Sequence, residues 1–193
     1  RKDLQALTEQ GIARRRHGGV ERLVLTSNQT YISSQVLNSS AKHCIAAEVA
    51  KRVQDGASLG FSIGTTPEVI AHSLLQHNGL RIVTNNLNIA MLMAANAGFE
   101  ITVAGGRIRN DDRYVIGSGA VELFSRYRVD IGIFGVAGVD EDGTLLDFHE
   151  GEVKTREIIQ QNCRESFLVL DYTKFSRLAH VRGGHISNVS KVF

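Results

Sequence analysis

Short apolar runs recur along this chain, each closed by glycine or small polar residues and followed by a helical pattern. Leu59, Phe61 and Ile63 alternate at period two. Leu80 to Val83, Phe99 to Ala104, Val129 to Val136 and Ser166 to Leu170 are further runs, and Ile186 to Phe193 opens a last one. Helical stripes lie between them: Ile45, Ala46, Val49, Ala50 and Val53; then Ile70 with Leu74 and Ala71 with Leu75; then 87–97, 118–128 and 150–162. Strands that alternate with helices predict a parallel sheet with right-handed crossovers. The run 129–136, apolar apart from Asp130, is typical of a central parallel strand.

In such sheets ligands bind beyond the carboxyl ends of the strands. Residues 57–75, ASLGFSIGTTPEVIAHSLL, give the sharpest candidate. They read as a strand, a turn at Gly64, and a helix with Thr66 as N-cap, Pro67 at its first position and Glu68 in its first turn. Backbone N–H groups and the hydroxyls of Thr65 and Thr66 then converge, as a phosphate requires. A well-capped turn without ligand explains the same residues. No Walker loop is present. The same sheet edge should collect Thr84, Asn85 and Asn86, then Gly105 and Gly106, the segment 135–138, and Asp171 with Lys174. Hydroxyls, amides and a cation gathered there suit a small polyhydroxylated phosphate. The segment 107–117 reads as a polar loop, and Asp140-Glu141-Asp142-Gly143 as a turn.

Size and charge limit the rest. The chain has 193 residues and a formal net charge of +2, with 42% hydrophobic residues and no tryptophan. That suits one sizeable soluble α/β domain plus a fragment. No apolar run spans a bilayer, so a cytoplasmic protein without membrane contact is expected. Cys44 and Cys163 fall in predicted helices as inert buried thiols; no metal site and no cofactor is expected. His149-Glu150-x-Glu152 reads as an exposed helix start rather than a metal site. The cations crowd the first 22 residues, where six bases meet three acids. Residues 12–25 read as a β-hairpin turning at His17-Gly18-Gly19, with Arg14, Arg15 and Arg16 on one arm able to lie along a phosphate backbone. Residues 26–40, rich in Ser, Asn, Gln and Thr, read as a linker.

RKDLQALTEQGIARRRHGGV, SIGTTPE, TNNLNIA, VAGGRIR, FGVAGVDEDGTLLDF, EVKTREII and LDYTKFSR, in that order, resemble the DeoR family of bacterial transcriptional repressors. The resemblance implies the C-terminal part of a winged helix-turn-helix over 1–25, a linker over 26–40, and a sugar-phosphate effector domain over 41–193, its end cut short. That domain is implied to fold like ribose-5-phosphate isomerase. A homo-oligomer that releases operator DNA when a phosphorylated polyol or sugar binds is also implied. IGTTPE, RIVTNNLN and the segment after Gly135 point within the family to glycerol 3-phosphate. Transferred residue by residue, the effector contacts are Gly64, Thr65, Thr66, Thr84, Asn85, Asn86, Gly105, Gly106, Glu152, Asp171 and Lys174. The DNA contacts are Arg1, Lys2, Arg14, Arg15, Arg16 and His17, with Arg1 and Lys2 closing the recognition helix. With so little of that unit in these residues, weak operator binding is expected. Ser62 stands where the family commonly has Asp, and can hydrogen-bond a hydroxyl without carrying charge.

The alternative is a sugar-phosphate isomerase on the same scaffold. It would need a general base from Glu152, Glu157 or Asp147, with Lys174 holding the oxyanion. The segment Phe134 to Gly138 lacks the aspartates such isomerases carry there, which favours a sensor.

Overall fold

A computed structural model describes the backbone of residues 13–16 and 19–22 and the whole of residues 31–193. The first two strands, β1 (Ala13–Arg16) and β2 (Gly19–Arg22), pair antiparallel with Arg14 opposite Glu21, the hairpin expected from the glycine turn. Arg1, Lys2, His17 and the helix expected over 1–10 lie outside the described residues.

The centre is a six-stranded sheet: β3 (Ser58–Phe61), β4 (Arg81–Thr84), β5 (Glu100–Val103), β8 (Val129–Phe134), β11 (Cys163–Leu168) and β13 (Lys191–Val192). Their order is β13-β11-β8-β3-β4-β5, and every neighbouring pair is parallel. On one face Leu59, Phe61, Ile82 and Ile133 join residues of α2 (Ser39–Ala50), α3 (Thr65–Ser73) and α4 (Leu87–Met93) in one apolar cluster. On the other, Val83, Phe134 and Leu168 meet Phe124 of α5 (Ser118–Ser125) and Ile159 of α6 (Glu150–Gln161). Both faces are covered, so the alternation along each strand is between two cores.

Two glycines set the depth of the second core. Gly60 and Gly132 lie side by side in the β3–β8 register. A Cβ on Gly132 would stand 2.8 Å from the Ile159 side chain and 3.0 Å from Cys163 Sγ. Helix α6 thus lies closer to the sheet than any side chain at 132 would permit.

Smaller elements decorate the carboxyl edge. Residues 107–117 are not the polar loop expected. They form a hairpin of β6 (Arg107–Arg109) and β7 (Tyr114–Ile116), and Val115 N–H donates to Asn85 O at 2.8 Å. Its three-residue arms are too short to carry a legible alternation. A second sheet has the order β12-β10-β9, from β9 (Gly138–Val139), β10 (Thr144–Asp147) and β12 (Val181–His185).

Several local expectations need correcting. The described part of the segment read as a linker holds helix α1 (Tyr31–Val36), whose tyrosine hydrogen-bonds into the domain. Helix α3 is capped by Gly64, at φ 125°, rather than by Thr66, which is helical and buried. Cys163 opens a strand, and Cys44 is exposed rather than buried. The final segment is a short 3-10 turn and then β13, in place of one strand from Ile186.

Gly132→Ala is expected to destabilise the fold by about 1–3 kcal/mol, the usual cost of overpacking. Ile159→Ala should lose stability on its own through a cavity. In the double variant the losses should fall short of their sum, because removing Ile159 makes room for the new methyl. Full additivity in urea melts would mean that these two positions do not touch.

Candidate effector site

Beyond the carboxyl ends of β3, β8 and β11 lies a cavity of about 150 Å³. Its floor is Ser62, Ile63 and Gly64 after β3, Gly135 to Ala137 after β8, and Val169 after β11. Other elements supply the walls. Helix α1 gives Tyr31 and Ser34, the β6–β7 hairpin gives Arg109, Asp112 and Tyr114, and β10 with α6 gives Asp147, Phe148, Glu152 and Arg156. The 3-10 turn Tyr172–Lys174 and the residues after it add Lys174 and Arg177.

One end has the features of an anion site. The first turn of α3, from Gly64 to Pro67, lines the cavity and directs the positive end of its dipole there. Lys42 Nζ, almost wholly buried, donates to Thr65 Oγ1 at 3.0 Å and also to Ser34 O. Burial lowers the Lys42 ammonium, with Asp171 and Glu68 opposing that shift. Lys174 is pushed down to about 8, first by burial and then by the charge of Arg177, with Asp171 opposing and Lys42 adding to the fall. Cations held near one another at a helix N-terminus favour a ligand dianion.

The other end holds two arginines, each paired with carboxylates. Arg109 Nη1 donates to Glu152 Oε1 at 2.8 Å, while its Nε and Nη2 engage Asp112. Arg156 is buried against Asp147, with Nη2 3.0 Å from Oδ2. The Asp147 carboxyl also accepts from Ala137 N–H at 2.9 Å, yet burial pushes it up to about 6, with Arg156 opposing. Arg177 lies over the Phe148 ring, 5.4 Å from its centre.

The wall is tied together by a carboxylate that lies behind it. Glu68, buried in α3, accepts from Tyr31 OH at 2.6 Å, Asn86 Nδ2 at 2.9 Å, Asn88 Nδ2 at 3.0 Å and, more weakly, Tyr114 OH at 3.4 Å. Tyr114 OH in turn accepts from Gly64 N–H at 3.1 Å. Burial, then the Glu68 charge, push the Tyr114 hydroxyl up; at Tyr31 burial and the Glu68 hydrogen bond do the same.

The residues picked from sequence divide accordingly. Gly64, Thr65, Thr66, Glu152 and Lys174 come together on the cavity wall. Thr84, Asn85, Asn86, Gly105, Gly106 and Asp171 do not line it. Thr84 Oγ1 donates to Phe61 O and accepts from Asn86 N–H. Asn85 holds Val115 O, and Asn86 caps α4 while bonding Glu68. Asp171 caps its own 3-10 turn and accepts from Asn38. Gly105 and Gly106 are exposed and lead into the β6–β7 hairpin, with Gly106 at φ 142°. Sequence reading missed Tyr31, Arg109, Tyr114 and Arg156. The arginine and tyrosine of the RIRNDDRY segment were the signal that was available, hidden by treating it as a loop. His149 and Glu150 are exposed, and Glu157 is not on the cavity wall.

Comparison with known proteins agrees with this architecture. Residues 37–193 match the DeoR C terminal sensor domain. Across all 193 residues the chain is 44% identical to the glycerol-3-phosphate regulon repressor of Haemophilus influenzae and 42% identical to that of Escherichia coli, spanning 75% and 77% of those proteins. It is 34% identical to the transcriptional repressor CsqR of Escherichia coli, of which it spans 74%. Among solved structures, a D-ribose-5-phosphate isomerase shares the fold at TM-score 0.53 and 15% identity, over 72% of this chain and 55% of that one. The eIF2B delta subunit of Chaetomium thermophilum does so at TM-score 0.60 and 12% identity, over 84% and 57%. The relatives alike in sequence are named repressors, so the isomerase alternative is set aside. Among the described residues no helix is long and apolar enough to cross a membrane. The chain belongs to the DeoR family of transcriptional repressors, and residues 37–193 are its sensor domain.

Proposed function

We propose that the cavity binds a small phosphorylated polyol or sugar, glycerol 3-phosphate first, and that its binding releases operator DNA. The observation that carries this reading is the Gly64–Thr66 helix start with Lys42, Lys174 and Arg177 grouped near it. A phosphate sits at that turn, taking the Thr65 and Thr66 hydroxyls and backbone N–H groups, with Lys174 as its counter-ion. The names of the relatives support the choice of glycerol 3-phosphate. The cavity's small volume suits a triose-sized ligand.

Release runs through helix α1. In sequence it lies between the basic hairpin and the sensor domain, and Ser34 O accepts from both Lys42 Nζ and Thr65 Oγ1. A phosphate at Thr65 competes for those same donors. Binding therefore loosens α1 from the body, and the hairpin with Arg14, Arg15 and Arg16 loses its fixed placement against DNA. Hydrogen exchange should speed up over residues 31–37 and slow over 64–70 when ligand is added. Equal protection of both segments would take α1 out of the route.

Glycerol 3-phosphate at a hundred times its dissociation constant should add about 2.7 kcal/mol of stability. That is roughly 5–10 °C in a thermal melt for a domain of this size. Glycerol should give no shift and inorganic phosphate a smaller one. A response to a pentose or hexose phosphate alone would keep the sensor reading and discard this ligand.

Lys174→Ala should weaken binding by about 1.5–3 kcal/mol, as loss of a charge-assisted hydrogen bond does. With its ammonium at about 8, affinity should fall as pH rises through 8, because the uncharged amine no longer attracts a dianion. It should also fall below about pH 6, where the phosphate dianion takes up a proton and becomes a monoanion. Calorimetric titration from pH 5.5 to 9 checks both limbs, and a flat profile in the parent chain would remove Lys174 from the site.

Binding of duplex DNA through the hairpin should be steeply salt-dependent. Replacing Arg14, Arg15 or Arg16 should lower affinity alike for all sequences and reduce the salt slope by about one for each phosphate no longer neutralised. Fluorescence anisotropy at several salt concentrations measures this, and an unchanged slope would place these arginines away from DNA.

A further inference from the structure

Arg156 has an unusual setting for a structural ion pair. It is 1% exposed and lies on the cavity wall. Its Nε and Nη2 both donate to Asp147 Oδ2, at 3.2 and 3.0 Å. Its Nη1 is buried and has no hydrogen-bond partner among the described residues. A buried guanidinium N–H without an acceptor is costly, so such groups are retained where something else meets them. The neighbouring strand leaves space around the guanidinium. A Cβ on Gly183 would come within 3.1 Å of Nη2, and one on Gly184 within 3.5 Å of Nη1.

The residues that share the wall with Arg156 indicate what acceptor suits Nη1. Asp147 and Glu152 lie on the same wall. A hydroxyl fits such a setting, since its oxygen accepts from the guanidinium while its hydrogen goes to a carboxylate. A ligand carboxylate would take the guanidinium but meet two negative charges. An alkyl end would leave Nη1 unmatched.

We propose that Arg156 Nη1 reads the hydroxylated end of the ligand and so makes the cavity selective for a vicinal-diol phosphate over alkyl and carboxylate-ended phosphates. This rests on the sensor reading above, with the phosphate at the Gly64–Thr66 turn. The selectivity is a property of this second end of the cavity, and the anion turn does not supply it.

The test is a calorimetric series on the parent chain and on Arg156→Lys, with inorganic phosphate, propyl phosphate, 3-phosphoglycerate and glycerol 3-phosphate. In the parent, propyl phosphate and 3-phosphoglycerate should each bind at least roughly tenfold more weakly than glycerol 3-phosphate, since a site built to meet a hydroxyl rejects ligands lacking it. In Arg156→Lys that ratio should collapse while the affinity for inorganic phosphate stays the same. Should the variant fail to fold, judged by circular dichroism, the ratios in the parent decide alone. Propyl phosphate or 3-phosphoglycerate binding as well as glycerol 3-phosphate in the parent would overturn the inference and leave the phosphate turn intact. A variant that folds and keeps the parent's ratio would overturn it too. Binding of none of the four would end the sensor reading and this inference with it.

Discussion

A single buried carboxylate, that of Glu68, holds the walls of the cavity together. Burying a carboxylate is expensive unless donors surround it, and Glu68 has them from four directions. The donors come from three elements: Tyr31 from α1, Asn86 and Asn88 from the start of α4, Tyr114 from the β6–β7 hairpin. Because any one of them leaving would strip the charge of compensation, the elements are held in one mutual arrangement. Tyr114 passes this on to the anion turn by accepting the Gly64 N–H. Buried polar groups that satisfy one another at this density specify geometry more than they add stability.

The cavity is electrostatically divided by the same logic. At one end Lys174 is depressed by burial and by the charges of Arg177 and Lys42, a setting that favours an arriving dianion. At the other, arginines and carboxylates pair, leaving directional donors and acceptors without a strong net field. A ligand that is anionic at one end and hydroxylated at the other matches both halves, and an enzyme's requirement for an unencumbered base is not met by Glu152, whose carboxylate is engaged by Arg109.

The architecture was legible because parallel strands buried on both faces write themselves as largely apolar runs, as 129–136 does with Asp130 as its one charged residue. The Gly64–Thr66 turn on the cavity wall was legible because these residues occur where a strand becomes a helix. The rest of the site was not, for two reasons. First, residue type at the right sheet edge does not say which way a side chain turns: Asn85 and Asn86 have the chemistry of ligand contacts and are engaged inside the fold instead. Second, the opposite wall comes from elements whose sequences carry little period. The three-residue arms of the hairpin and the six residues of α1 hide Arg109, Tyr114 and Tyr31 in segments that composition marks as loop or linker. Arg156 was hidden differently, on a well-recognised helix where an arginine is ordinarily solvated.

The close seating of α6 against Gly60 and Gly132 has a consequence for timing. That helix carries Glu152 and Arg156, and with no slack beneath it the wall it forms cannot breathe on the timescale of loop motion. Opening of the cavity is then left to α1, which buries no residue of its own and is fastened by hydrogen bonds such as Tyr31 to Glu68 and Thr65 to Ser34 O. The rate at which a ligand enters or escapes, and hence how quickly such a regulator can follow a changing concentration, is set by the lifetime of those few bonds rather than by the strength of the site beneath them.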